Sequence, residues 1–138
     1  MYTSIIVPMA LDHGISDFTL AIARKLLSDG GTITALHIHE APQASVNAYL
    51  DKEVVREAFK ATKARLEKRV ADQADVTPVL LSGHVGRSIT DYADKVGADC
   101  IVMGSHQPGL SDFLLGSTAA RVVRHAHCAV HVHRPLES

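Results

Sequence analysis

No run of about 18 apolar residues occurs in the chain, so no segment is long enough to span a membrane as a helix. The N-terminus has no basic stretch leading into an apolar one; with no export signal to read, a cytoplasmic location is the expectation. Net charge is almost nil. Fourteen Lys and Arg stand against fifteen Asp and Glu, which leaves −1 with the nine histidines neutral. So even a balance offers no electrostatic footprint for nucleic acid. Cysteine is scarce: Cys100 and Cys128 are too few for a disulfide framework and read as buried thiols in a reducing compartment. Each precedes a predicted strand. If those strands are neighbours the thiols lie close, which leaves a stress-induced bridge as the alternative. The pattern Gly-x4-Gly-Lys-Ser/Thr is missing, so the chain is not a P-loop NTPase.

What is present suits one domain over residues 1–138, long enough to bury a core, with 46% hydrophobic and 21% charged residues. Ile5-Ile6-Val7-Pro8 reads as a first strand that Pro8, lacking an N–H, should end. After a loop over Ala10 to Gly14, a helix begins near Ser16 with Leu20, Ala23 and Leu27 on one stripe, and Asp29-Gly30-Gly31 should stop it. Thr32 to His39 form a second strand, Glu40 to Val46 a surface loop, and roughly Asn47 to Asp72 the longest helix. That helix keeps Val55, Phe59, Leu66 and Val70 on one stripe, and its interleaved acidic and basic residues read as a solvated face with helical ion pairs. Thr77 to Leu81 are a third strand, placed at an edge by Pro78. Ile89, Tyr92, Ala93 and Val96 mark a helix closed by Gly97, and Ala129 to His133 are a fifth strand. Strands alternating with helices argue for a parallel sheet covered on both faces.

The remaining stretch, Cys100 to Ala119, organises the rest. Cys100-Ile101-Val102-Met103 has the apolar run of a buried parallel strand. A Gly-rich loop follows, and a helix starts at Ser117 with the helical pattern Ala119, Val122, Val123 and Ala126. Glycines allow several N–H groups to face one concave side, and a helix start adds unpaired N–H groups and about half a positive charge, so together they suit a phosphate. The plainer reading is a strand-to-helix connection with Ser117 as its N-cap.

Gly104-Ser105-His106, Leu114-Leu115-Gly116-Ser117, Val122-Val123-Arg124-His125-Ala126 and Ala129-Val130-His131-Val132 together resemble the C-terminal signature of the universal stress protein family. The likeness runs from Ile5 to Arg134. The loop is one residue shorter than in the nucleotide-binding members, with Gln107 where a second Gly is expected, and is similar to a short-loop bacterial subgroup that also binds ATP. The resemblance implies a Rossmann-like α/β fold, an open parallel five-stranded sheet of order 3-2-1-4-5. Its switch point between strands 1 and 4 is where such sheets bind ligands. It implies ATP, free or as its Mg2+ complex, as the ligand. The nucleoside half would lie against Pro8, Met9, Ala10 and Ile38, and the phosphates against Gly104, His106, Gln107 and Gly109, then Gly116, Ser117, Thr118 and Ala119, with Met103 a further contact. Ala10 stands where the family usually has an Asp that contacts the nucleoside, and Asp12 is the nearest replacement. The resemblance also implies a homodimer, through strand five (Ala129 to His133), in which His131 and His133 replace apolar residues. If they face the partner strand, pairing weakens as imidazoles gain charge near pH 6.5.

No lysine in the loop can clamp phosphates, and no general base is evident opposite it. His106 is the one titratable side chain from Gly104 to Pro108. Binding with slow hydrolysis or none therefore fits better than efficient ATPase chemistry, and no catalytic residue is assigned. His37-x-His39 and His131-x-His133 each set two imidazoles on one strand face, with His125 and His127 nearby. Nothing in the sequence brings a third or fourth ligand to the same point, so no metal site is assigned. Two functions remain open: a stress-response module that binds adenine nucleotide, or a dimeric interaction protein of the same fold without it. A slow ATP hydrolase using His106 is a third.

Overall fold

The computed structural model describes residues 1–11, 17–40, 51–105 and 115–134. Among them are five strands and four helices: β1 (Tyr2–Pro8), α1 (Asp17–Leu26), β2 (Leu27–His39), α2 (Lys52–Arg69), β3 (Val76–Ser82), α3 (Val85–Val96), β4 (Cys100–Gly104), α4 (Ser117–His125) and β5 (Ala129–His133). All four pairings are parallel, and the strand order is β3-β2-β1-β4-β5, as expected from the sequence. Strand alternation divides the apolar residues between two faces. Ile5, Val7, Ile33, Ala35 and Val102 bury under Leu20 and Ala23 of α1 and Leu66 of α2. Ile6, Leu36, Ile38, Ile101 and Met103 bury under Ile89 and Ala93 of α3 and Ala119 and Val122 of α4. Each fully buried Ile or Leu of this set contributes about 1.5–3 kcal/mol by leaving water.

Several boundaries differ from the sequence reading, each for a local reason. α1 ends at Leu26, before the glycines, because Leu27 already pairs with Tyr2. The next pairs join Ser4 to Thr32, so five residues of β2 pass while β1 advances by two. Asp29-Gly30-Gly31 is this excursion within β2, and Gly30 supplies its left-handed backbone at φ 80°. α2 starts at Lys52 under the Asp51 cap, whose carboxylate accepts from the Glu53 N–H. Residues 47–50 and most of the preceding loop lie outside the described residues. Glu53–Arg56 and Glu57–Lys60 pair along the exposed face of α2, each for a few tenths of a kcal/mol. Pro78 sits in β3, an edge strand, as expected.

The register also decides the cysteine question. Cys100 lies opposite Ala129, so Cys128, one residue earlier, points to the other face of the sheet. Cys100 packs under α1, whereas Cys128 packs on the α3/α4 side. The bridge that neighbouring strands suggested is excluded by the sheet between the thiols. Burial, aided by Cys128 and Asp99 nearby, pushes the Cys100 thiol up to about 11, which keeps it protonated and inert at neutral pH.

β1 meets β4 through Ile5 opposite Cys100 and Ile6 opposite Ile101. Below this seam, Asp99 accepts from the N–H groups of Thr3 and Ser4 (2.9 and 3.0 Å) and from the Thr3 hydroxyl (3.0 Å), and its own N–H donates to Ser4. The Thr3 N–H, first among these donors, holds the Asp99 carboxyl below its ordinary range. A depressed folded-state value means stability present above about pH 4 and lost as pH falls through that lower value. Asp99→Ala should cost about 0.5–1.5 kcal/mol in urea unfolding at pH 7, since it removes the bonds from exposed Thr3 and half-buried Ser4. The gap from the parent chain should shrink on acidification below about pH 4, where the parent's carboxylate protonates. An equal gap at pH 7 and pH 3 would show that the carboxylate charge is not what holds the seam.

Candidate functional site

Strand order reverses between β1 and β4, so their C-terminal ends part and open a crevice. On the β1 side, Pro8 pairs with Leu36, and the ladder continues one residue further, where the Met9 N–H donates to the Leu36 carbonyl at 2.9 Å. The His37 Nδ1–H donates to the Met9 carbonyl at 2.8 Å. Both polar backbone groups of Met9 are thus tied to β2. Met9 is buried and Ala10, the next residue, is exposed. Leu11 is drawn back into the core, and Arg69 at the end of α2 donates to its carbonyl.

On the β4 side, Met103 is buried beside Ile38 and Ala119 in one core cluster, while Gly104 is exposed. Ser105 is fully buried. Its N–H donates to the His133 carbonyl at 2.9 Å, and its carbonyl accepts from the Gly116 N–H at 2.8 Å. That second bond draws the start of α4 against the end of β4. The first helical bond of α4 runs from the Ala120 N–H to the Gly116 carbonyl, so Ser117, Thr118 and Ala119 present N–H groups with no intrahelical acceptor. The N-cap is Gly116 rather than Ser117, and no side chain caps it. Ser117 is the first helical residue and is exposed, Thr118 is half-buried, and Gly116 and Ala119 are buried.

Pro8 and Met9 are therefore brought to one edge of the sheet with Ile38, and Met103 and Gly104 with Gly116 to Ala119. His106, Gln107, Gly109 and Asp12 lie outside the described residues. Ile38 and Met103 are core residues first. The glycines act differently from expectation. Neither Gly104 nor Gly116 has a positive φ, and Gly116 sits at φ −58°, open to any residue. Gly104 leaves room beside the His133 ring rather than an unusual backbone.

The paired histidines separate. His39 turns to α2, where its Nδ1 meets the Thr62 hydroxyl at 3.1 Å and its ring stands edge-on to Phe59. The His133 Nε2 lies 2.7 Å from the Thr19 hydroxyl, and its ring stands edge-on to Phe18, so it faces α1 rather than a partner strand. His127 pairs with Asp94 on α3 at 3.0 Å. Among the described residues no group of three or more His, Cys, Asp or Glu is placed to hold a metal. Sequence reasoning missed the links made by Ser105, His37 and His133. The period of two along β2 and β5 gives the face each histidine occupies, but not its partner. A groove of about 570 Å3 beside α2, lined by Leu11, Arg65, Lys68, Arg69, Ala71 and Asp72, contains none of the expected site residues.

Residues 1–134 match the family model of the universal stress proteins. The chain belongs to that family. Universal stress protein G of Salmonella typhimurium is 31% identical over 151 residues, covering 97% of this chain and 100% of the relative. Among solved structures, the hypothetical protein MJ0577 superposes with a TM-score of 0.79 at 22% identity, covering 100% of this chain and 99% of that one. The universal stress protein of Archaeoglobus fulgidus in complex with dAMP superposes at 0.56 with 24% identity over 95% of this chain and 97% of its own. A universal stress protein in complex with cAMP does so at 0.60 with 19% identity, over 96% and 97%. The shared fold of this universal stress protein is thus shown along nearly its whole length.

A Cβ added at Gly104 would stand 3.8 and 3.9 Å from the His133 ring, an ordinary contact. Gly104→Ala should therefore fold normally, with thermal unfolding within about 0.5 kcal/mol of the parent. A loss near 2 kcal/mol would mean that His133 is packed more tightly on β4 than this geometry allows.

Proposed function

We propose that this universal stress protein binds an adenine nucleotide, ATP foremost, in the crevice between β1 and β4, and acts as a cytoplasmic stress-response regulatory module. The observation that carries this is the start of α4. Three N–H groups without intrahelical acceptors and a cap without a side chain are held by the Gly116–Ser105 bond beside the end of β4. Such a terminus favours a phosphate through its unpaired donors and its partial positive charge. Relatives of the same fold in complex with dAMP and cAMP support an adenine nucleotide as the occupant.

The residues present fit that ligand in two halves. Backbone N–H groups of Ser117 to Ala119 and the exposed Ser117 hydroxyl would meet phosphate oxygens, with Gly104, His106, Gln107 and Gly109 completing the loop of the short-loop subgroup. Pro8, Met9, Ala10, Ile38 and Met103 would form the apolar nucleoside side. A bound Mg2+ would neutralise phosphate charge that no loop lysine offsets. Without a positioned base the chain would hold the nucleotide, with hydrolysis slow at most.

Titration calorimetry with ATP tests this, and no heat at millimolar ATP would sink it. Gly116→Val, which puts a branched side chain at the buried head of α4, should abolish most binding. Ala10→Asp adds an acceptor on the nucleoside side and should tighten ATP roughly three- to tenfold.

The same module should be a homodimer through β5. That strand is the unpaired edge of the sheet next to β4, and a bare edge favours strand addition. Light scattering at micromolar concentration should give twice the chain mass. Val130→Pro, which removes a ladder donor, should give a monomer with unchanged circular dichroism. A monomeric parent chain at neutral pH would refute the pairing.

A further inference from the structure

We infer that Arg121 supplies the cation that meets the phosphates of the bound nucleotide, an inference that rests on the nucleotide reading of the crevice. That reading leaves one electrostatic gap. The stretch from Gly104 to Gly116 holds neither lysine nor arginine, so phosphates held there by N–H groups lack a full countercharge. Arg121 follows Ser117 and Thr118 on α4 by four and three residues. It therefore shares their side of the helix, one turn below the N–H groups that have no intrahelical acceptor. Side chains on a helix lean toward its N-terminus, which carries this arm toward the head of α4. α4 itself buries Ala119 and Val122 on the sheet face that holds Ile38 and Met103. The arm thus belongs to the crevice side of the sheet.

A second helix places its stem. A Cβ added at Gly86, the second residue of α3, would stand 2.4 Å from Cδ of Arg121, 3.1 Å from Cγ and 3.3 Å from Cβ. The methylenes therefore lie directly across the Gly86 backbone, and the guanidinium is carried to where the first turn of α3 faces α4. Val85, beside Gly86, packs into the same cluster as Ile38 and Met103, which sets this first turn on the crevice face. Arg24, Arg56 and Arg69 each donate to a protein oxygen, whereas half-buried Arg121 has no hydrogen-bond or ion-pair partner among the described residues. No buried side-chain nitrogen among them lacks a hydrogen bond, so its nitrogens reach the surface. Neither α3 nor α4 has an acidic residue in its first turn. A cation beside two helix starts, each with a partial positive charge, is repelled by its surroundings until an anion joins them. A planar fork of donors on a fixed stem suits phosphate oxygens.

Arg121→Met keeps a stem on Gly86 and removes the charge. Calorimetry should show it binding ATP about ten- to a hundredfold more weakly than the parent, with the melting temperature of the ligand-free protein unchanged. Arg121→Lys, which returns a charge without the fork, should fall between the two. Added potassium chloride should narrow the gap between parent and Arg121→Met, because the lost interaction is electrostatic. Gly86→Ala tests the placement without altering the arm. Its methyl displaces Cδ, so ATP should bind about three- to tenfold more weakly even though alanine favours the helix. In nitrogen-15 spectra of the parent, the Arg121 Nε–H signal should move on saturation with ATP. A residue that only propped α3 against α4 would lower the melting temperature in Arg121→Met and leave a gap in affinity that salt does not change. That pattern, equal ATP affinity of parent and Arg121→Met, or an Nε–H signal unmoved by ATP would overturn the role of Arg121. If in that case Gly116→Val still abolishes ATP binding, the nucleotide site itself stands. A parent chain that binds no nucleotide removes both.

Discussion

The two halves of the sheet, β3-β2-β1 and β4-β5, are joined along one seam. Two residue pairs of β1 and β4 make it, and Asp99 secures its lower end by accepting three hydrogen bonds from Thr3 and Ser4. A parallel pair has no hairpin to hold it together, so its register must come from the burial of alternating residues and from such side-chain clamps. Ile5 and Ile6, adjacent in sequence, face opposite cores, so a slip of one residue would expose both faces to the wrong partners. The crevice exists because this seam is closed below and open above. Past Ile6 and Ile101 the strands separate, and everything assigned to ligand binding hangs from their free ends.

At those ends the sheet hands over to loops through backbone bonds rather than side chains. Met9 is fastened to β2, and Ser105 is fastened both to β5 and to the head of α4. Backbone donors of this kind need little reorganisation to receive a ligand, which suits binding over turnover. The arrangement also explains why so few polar side chains are needed at the switch point. Ser117 is exposed, and Ser105 spends its main-chain groups on structure.

Most of the fold was legible in the sequence, because it depends on periodicity. The paired runs Ile5–Val7 and Cys100–Met103, the helical stripes of Ile89 and Val122, and Pro8 and Gly97 as stops all act locally. Gly97 does close α3, with φ 68°. Reading failed where a signal had two meanings. Asp29-Gly30-Gly31 looks the same after a helix as in the middle of an irregular strand, and only the pairing of Leu27 with Tyr2 distinguishes them. Gly116-Ser117 contains two good caps in succession, and the chain uses the first. The histidines were least legible. Their chemistry is set by a carbonyl, a hydroxyl or a carboxylate brought from 23 to 114 residues away. The family resemblance supplied the crevice, but it gave no role to His37 or Ser105.

α1 is only ten residues long, yet it is fastened to both margins of the sheet. At its end, Arg24 grips Asp75 and Gln73 just before β3; at its start, Thr19 and Phe18 hold His133 at the close of β5. The helix is therefore a diagonal brace across five strands. A twist or shear that moved one margin relative to the other would have to break one of its anchorages or carry the helix along. A second chain that drew β5 outward would be felt at Asp75, on the far side of the molecule, without any change in the sheet's interior.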